Sequence, residues 1–230
     1  MSAPYYVSPD QLMKDRAEFA RTGIARGRSV ITVRCAQGIA FVAANPSRSL
    51  HKVSEIYDRI GFAAVGRYHE FESLRVTGIR YADLRGYSYD RADVNARGLA
   101  NSYAQLLGAT FSSAAEKPYE VDLVVAEVGE EPVRDTIFKI SFDGTVVERA
   151  DCVVIGGDAD ALSATLTARH DPMAPLPVVL RQALEALGEP AGGTGGPTGV
   201  EVALLDRRRR NRTFTRVDGP ALRKLLAGEH

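Results

Sequence analysis

Between residues 29 and 65 the chain carries two successive hairpin patterns, and after Gly66 its apolar period lengthens from two to about three and a half. Strand pairs alternating with helix pairs constrain the fold more than any other feature. The first hairpin places Val30, Ile31 and Val33 before a Gln37-Gly38 turn and Ile39, Phe41 and Val42 after it. These β-branched and aromatic residues suit a pleated, buried surface. A loop, Asn45-Pro46-Ser47-Arg48-Ser49, leads to a second hairpin over 52–56 and 60–65, turning at Tyr57-Asp58-Arg59.

Upstream, residues 9–24 read as a helix. Ser8 is placed to cap it, Pro9 suits its first turn and Asp10 complements its positive end. Leu12, Phe19, Ala20 and Ile24 supply one apolar side, and Gly23 and Gly27 loosen its end. Downstream, Phe71, Leu74, Ile79 and Ala82 mark a helix broken near Gly86. Asp93 then caps a second, which carries Leu99, Tyr103, Leu106, Leu107 and Phe111. Strands follow at 121–128 and 136–142, with an Asp143-Gly144 turn, and at 152–155 before Gly156-Gly157. A second helix pair is predicted at 159–168 and 178–187, a flexible Gly-rich loop at 189–199, a hairpin at 201–205 and 213–217, and a short helix at 220–226. This order excludes a βαβ parallel sheet. It predicts an α+β chain: a four-layer αββα sandwich of two antiparallel sheets flanked by helix pairs, with an extra N-terminal helix.

Composition removes several function classes. Acidic and basic residues balance at 29 each, so the basic excess of a nucleic-acid binder is missing. The run Arg207-Arg208-Arg209-Arg210 is expected to be a solvated turn between two strands. No apolar stretch reaches the ~18 residues of a membrane span, and the first residues lack a signal-peptide pattern. Cys35 and Cys152 sit in apolar segments as free thiols, and His51, His69, His170 and His230 lack ligand spacing. The Gly156-Gly157 turn lacks a Gly-x-Gly-x-x-Gly frame. The expectation is a cytoplasmic chain with no metal, no cofactor, no membrane and no nucleic acid.

Several segments together resemble the α-type subunits of actinobacterial 20S proteasomes, non-catalytic members of the N-terminal-nucleophile hydrolase fold. These are Tyr5-Tyr6-Val7-Ser8-Pro9-Asp10, Asn45 to Leu50, Lys52-Val53, Ile56 to Ala64, Gly86 to Arg91 and Lys117-Pro118-Tyr119-Glu120-Val121. Where the widespread α signature continues Ser-Pro-x-Gly-Arg, this chain has Ser8-Pro9-Asp10-Gln11-Leu12, which points to the bacterial branch. The resemblance implies one domain over 1–230, with a gate segment at 1–8, an N-terminal helix at 9–25 and a flexible loop at 189–199. It implies a homo-heptameric ring stacked on β-type subunits. Pro4, Tyr5, Tyr6, Val7 and Ser8 would form an axial gate. Lys52 would receive the C-terminal carboxylate of an activating AAA ATPase, in degradation of proteins tagged with a prokaryotic ubiquitin-like protein.

The same resemblance argues against intrinsic proteolysis. Active β-type relatives use an N-terminal threonine with its free amine as base. Aligned by the first hairpin, that position falls on Arg28, beside Ser29; the acidic partner falls on Ala44, and only Lys52 of the set remains. Two alternatives stay open: an active β-type or other N-terminal-nucleophile hydrolase subunit, and a ring scaffold unrelated to proteolysis.

Overall fold

The computed structural model describes residues 8–47, 49–188 and 199–227. Ten strands form two five-stranded antiparallel sheets among these residues. One sheet has the order β10-β9-β2-β1-β8, the other β3-β4-β5-β6-β7. The strands are β1 (Val30–Cys35), β2 (Gly38–Ala44), β3 (Val53–Tyr57), β4 (Ile60–Gly66), β5 (Val121–Glu127), β6 (Thr136–Ile140), β7 (Val146–Arg149), β8 (Cys152–Ile155), β9 (Val200–Asp206) and β10 (Phe214–Val217). Helices α2 (Tyr68–Ser88) and α3 (Ala96–Ser112) cover the second sheet; α4 (Ala159–Thr167), α5 (Leu176–Ala186) and α6 (Gly219–Ala227) cover the first.

Each sheet is buried on both faces, which explains why its strands read as apolar runs. In β1, Val30 packs into the inter-sheet core while its neighbour Ile31 packs beneath α5. In β4, Ala63 and Val65 face the other sheet, whereas Phe62 and Ala64 face α2 and α3. All seven residues of β2 are buried. The predicted αββα sandwich is therefore what forms.

Helix α1 (Pro9–Ala25) closes one end of the sandwich. Ser8 caps it as expected, its Oγ accepting from the Gln11 N–H at 3.2 Å. Ala20 and Ile24 enter the inter-sheet core. The third buried residue is Arg16, whose guanidinium donates to the Thr110 and Phe111 carbonyls at 2.9 and 3.0 Å. It thereby adds donors to two carbonyls in the last turn of α3, where the helix leaves acceptors short of partners. Gly23 lies so close over the buried Glu120 carboxylate that no Cβ would fit. Leu12 and Phe19 do not share the buried side, at 38% and 47% exposed. The single apolar side expected from sequence is thus two surfaces, one packed and one open.

Three other expectations change, and one strand, β7, was not anticipated. Gly86 does not break α2, which runs to Ser88; the missing Cβ lets the Tyr57 hydroxyl pack against the helix. Asp93 does not cap α3. It ends a 3-10 turn, and Asn95 is the cap, its Oδ1 accepting from the Gly98 N–H at 2.9 Å. Strand β7 carries no alternating pattern because it is a short edge strand with Glu148 and Arg149 in solvent. In the arginine run, Arg207 turns inward onto the fully buried Asp135 at 2.7 Å, whereas Arg208 stays at the surface on Asp206. The predicted loop at 189–199 falls outside the described residues except for Gly199.

Candidate functional site

Lys52 stands at the entrance to β3, where the two sheets approach each other. Its backbone is fixed by Glu201 at the start of β9, whose Oε2 accepts from the Lys52 N–H at 2.9 Å and whose Oε1 accepts from Val53 N–H at 3.4 Å. Asn45 Nδ2 donates to the same Oε2 at 2.9 Å and to the Leu50 carbonyl at 2.7 Å, tying down the β2–β3 loop. Arg216 from β10 and His51 complete the ring of groups around Glu201. One carboxylate thus holds a loop, two strand starts and the side chains of Arg216 and His51 in register.

The Lys52 ammonium reaches across to the other sheet. Its Nζ donates to the Arg28 carbonyl at 2.6 Å and to the Ala44 carbonyl at 3.1 Å. Those carbonyls sit together because β1 and β2 pair there, with Val30 opposite Ala43. Burial depresses the Lys52 pKa to about 8; Glu201 offsets part of that, and Arg28 adds to it. Two N–H groups of the ammonium are used and a third remains. Neutral carbonyl dipoles hold the charge in place without cancelling it, which suits capture of an anion with one more acceptor, such as a carboxylate.

The nucleophile position offers no such chemistry. Arg28 contributes a backbone carbonyl, Ala44 has no carboxylate, and Ser29 is buried at 6% exposure. The chain runs without interruption from α1 through Gly27, whose N–H donates to the Ile24 carbonyl at 2.8 Å. An α-amine at residue 28 would require cleavage beside a packed helix.

Comparison with known proteins decides the family. The proteasome-subunit family model matches residues 24–203. "Proteasome subunit alpha" of Kineococcus radiotolerans is 58% identical over 99% of both chains. The protein of the same name from Streptomyces scabiei is 56% identical, covering all of this chain and 94% of its own. That from Acidothermus cellulolyticus is 55% identical over 98% of each. The chain belongs to the proteasome α-subunit family. As an α-type subunit of the 20S core, it is part of a protein-degrading assembly.

The structure brings the three aligned positions of this α subunit, Arg28, Ala44 and Lys52, into one hydrogen-bonded group. Ser8 is placed at the head of α1, while Pro4, Tyr5, Tyr6 and Val7 lie outside the described residues. Sequence reasoning missed Glu201. An acidic residue inside the apolar run Val200-Glu201-Val202-Ala203-Leu204 was the available signal, because a charge at a strand end facing a core needs partners. Among the described residues, no cluster of three or more His, Cys, Asp or Glu could hold a metal ion. No described helix is long and apolar enough to cross a membrane.

Proposed function

We infer that this α subunit is a non-catalytic ring member that gates entry to the core and receives an activator's C-terminal carboxylate at Lys52. The observation that carries this reading is the Lys52 ammonium held by two carbonyls, with Glu201 bonded to its backbone N–H. A cation fixed in this way offers its remaining N–H to an incoming carboxylate. Its partners are β-type subunits and six further copies in a heptamer. The activator is an AAA ATPase, the substrates carry a prokaryotic ubiquitin-like tag, and the compartment is the cytoplasm. The exposed Leu12 and Phe19 of α1 suit burial between neighbouring copies. Residues 1–8 act as the gate, and α1 supplies the fixed base from which they extend.

The test uses barrels assembled from this chain and its β partner. Lys52→Ala is expected to lower the ratio of activator-stimulated to unstimulated cleavage about ten- to a hundredfold at limiting activator. That matches a lost charge-assisted hydrogen bond of about 1.5–3 kcal/mol. An unchanged ratio rejects docking at Lys52. Removing residues 2–8 should raise unstimulated peptide cleavage several-fold; equal rates reject the gate. Intact mass separates the hydrolase alternative, since loss of the first 27 residues would expose a new terminus at Arg28.

A further inference from the structure

Strand β9 runs from Glu201, beside Lys52, to Asp206 at the far end of the sandwich, where three turns meet. We propose that the cleft between those turns is an oxyanion site that takes a phosphate group. The turns hold one another in place. The Thr213 N–H and hydroxyl both donate to the Asp58 carbonyl at 2.9 Å, which joins the β9–β10 turn to the β3–β4 turn. Arg59 Nε donates to the Val128 carbonyl at 2.7 Å, and the Val128 N–H donates to the Arg59 carbonyl at 3.1 Å, which joins the β3–β4 turn to the end of β5. The cleft has a volume of about 380 Å³, and Arg59, Arg91, Arg134, Arg210 and Asn211 supply the donors in its wall.

Donors exceed acceptors there once the internal bonds are set aside. The acids of the wall are Asp58, Glu127 and Glu130. Asp58 and Arg91 neutralise each other in a two-pronged pair at 2.6 and 3.0 Å, with Arg91 stacked on the Tyr57 ring. Glu127 Oε2 accepts from the Ala96 N–H at 2.7 Å, at the first turn of α3. The acids close by are also taken: Asp135 by Arg207, Asp206 by Arg208 and Glu55 by Arg212. Arg134 and Arg210 are left without an ion-pair partner among the described residues. Arg59 adds a separate observation. Its Nη2 is buried and has no hydrogen-bond acceptor. Such a group normally finds one, and the bond to Val128 keeps this guanidinium from turning out to water.

Three guanidinium groups thus arrive from three turns, each with donors to give. A tetrahedral phosphate presents oxygens in three directions, whereas a carboxylate presents two in one plane, so phosphate matches the set better. Glu130 opposes an incoming anion, which sets the expected dissociation constant on the order of millimolar. Free phosphate and a phosphate monoester carry the same group. The cleft is separate from the Lys52 site and rests on none of the activator reading.

The experiment titrates assembled barrels of the full chain and its β partner with inorganic phosphate at constant ionic strength, followed by phosphorus NMR linewidth, with AMP as a second arm. Wild type should broaden both signals saturably, and the tighter of the two identifies the source. Arg134→Gln combined with Arg210→Gln changes two exposed side chains and should weaken binding about tenfold or more. Arg59→Lys keeps the charge but loses the fork, and should weaken it about tenfold. Lys52→Ala should bind as wild type does. Absence of saturable binding overturns the proposal, as does binding lost in Lys52→Ala alone. Undiminished binding in the Arg134 and Arg210 double variant overturns it even where Arg59→Lys fails to assemble.

Discussion

Glu201 and Asp135 are buried carboxylates at opposite ends of the sandwich, and both gather cations. Asp135, fully buried, accepts two hydrogen bonds from Arg207 at 2.7 and 3.1 Å and one from the Gly129 N–H at 2.9 Å. Arg34 approaches it at 3.5 Å. Every charge in that group faces another charge of the group. Glu201 instead takes the backbone N–H of Lys52 and leaves the Lys52 ammonium to neutral carbonyls. The first arrangement closes on itself and staples strands together. The second keeps one cation uncommitted. Similar residue types thus yield a closed charge cluster at one end and a lysine held only by neutral carbonyls at the other, depending on whether the cation meets the carboxylate directly.

Asp135→Ala probes this contrast with the largest expected effect. It strands Arg34 and Arg207 in a site where their side chains are only 15% and 11% exposed. Stability should fall by about 3–5 kcal/mol, or roughly 10 °C in the melting temperature. A loss under about 1 kcal/mol would mean that the network is not a staple. Glu201→Ala should cost less stability, about 1–3 kcal/mol, because its partners are two backbone N–H groups, the Asn45 amide and the partly exposed Arg216 and His51 side chains. It should also reduce activator stimulation, since Lys52 loses its backbone anchor. Stability lost as at Asp135 with stimulation retained would erase the distinction between the two ends.

Raising pH separates them more gently. Lys52 loses its charge as pH passes about 8, so the stimulation ratio should fall through that range and stay flat in Lys52→Arg. The sign for stability is opposite. The folded pKa lies below that of a free lysine, so the unfolded chain binds more protons between the two values. The Lys52 contribution to stability therefore rises with pH across that window, measurable as a difference from Lys52→Arg in denaturant titrations. The smallest effect belongs to Arg208→Ala. Its guanidinium pairs with Asp206 at 2.7 Å but is 70% exposed. Its removal should shift stability by under about 1 kcal/mol, beside a several-fold larger loss for Arg207→Ala. Equal losses at these neighbours would show that burial is not what distinguishes the two networks.

Element types and order were legible from sequence because hydrophobic period and turn chemistry are set within a few residues. Ser8 before Pro9 foretold the α1 cap, and Gln37-Gly38 foretold the turn where Gly38 takes φ 145°. Of the two errors around α2 and α3, the first arose where a tertiary contact overrides local preference and the second from choosing between two local caps. A Tyr57 hydroxyl makes Gly86 fit inside a helix, and Asn95 takes the cap that Asp93 was positioned to supply. Lys52 itself was legible through resemblance, and its alignment with Arg28 and Ala44 followed from the first hairpin.

What the sequence alone determined is therefore the αββα order, the family, and a lysine standing where a threonine nucleophile and its acidic partner are missing. Only the tertiary structure decided which charges turn inward. Arg207 and Arg208 are adjacent and chemically identical, yet one is buried on Asp135 and the other is solvated. Lys52 and the Glu201 that fixes its backbone are 149 residues apart. The physical reason is that the protonation and direction of a charged side chain depend on the dielectric and the hydrogen-bond partners around it. Those are assembled only when distant strands meet, and no local pattern in the chain records them.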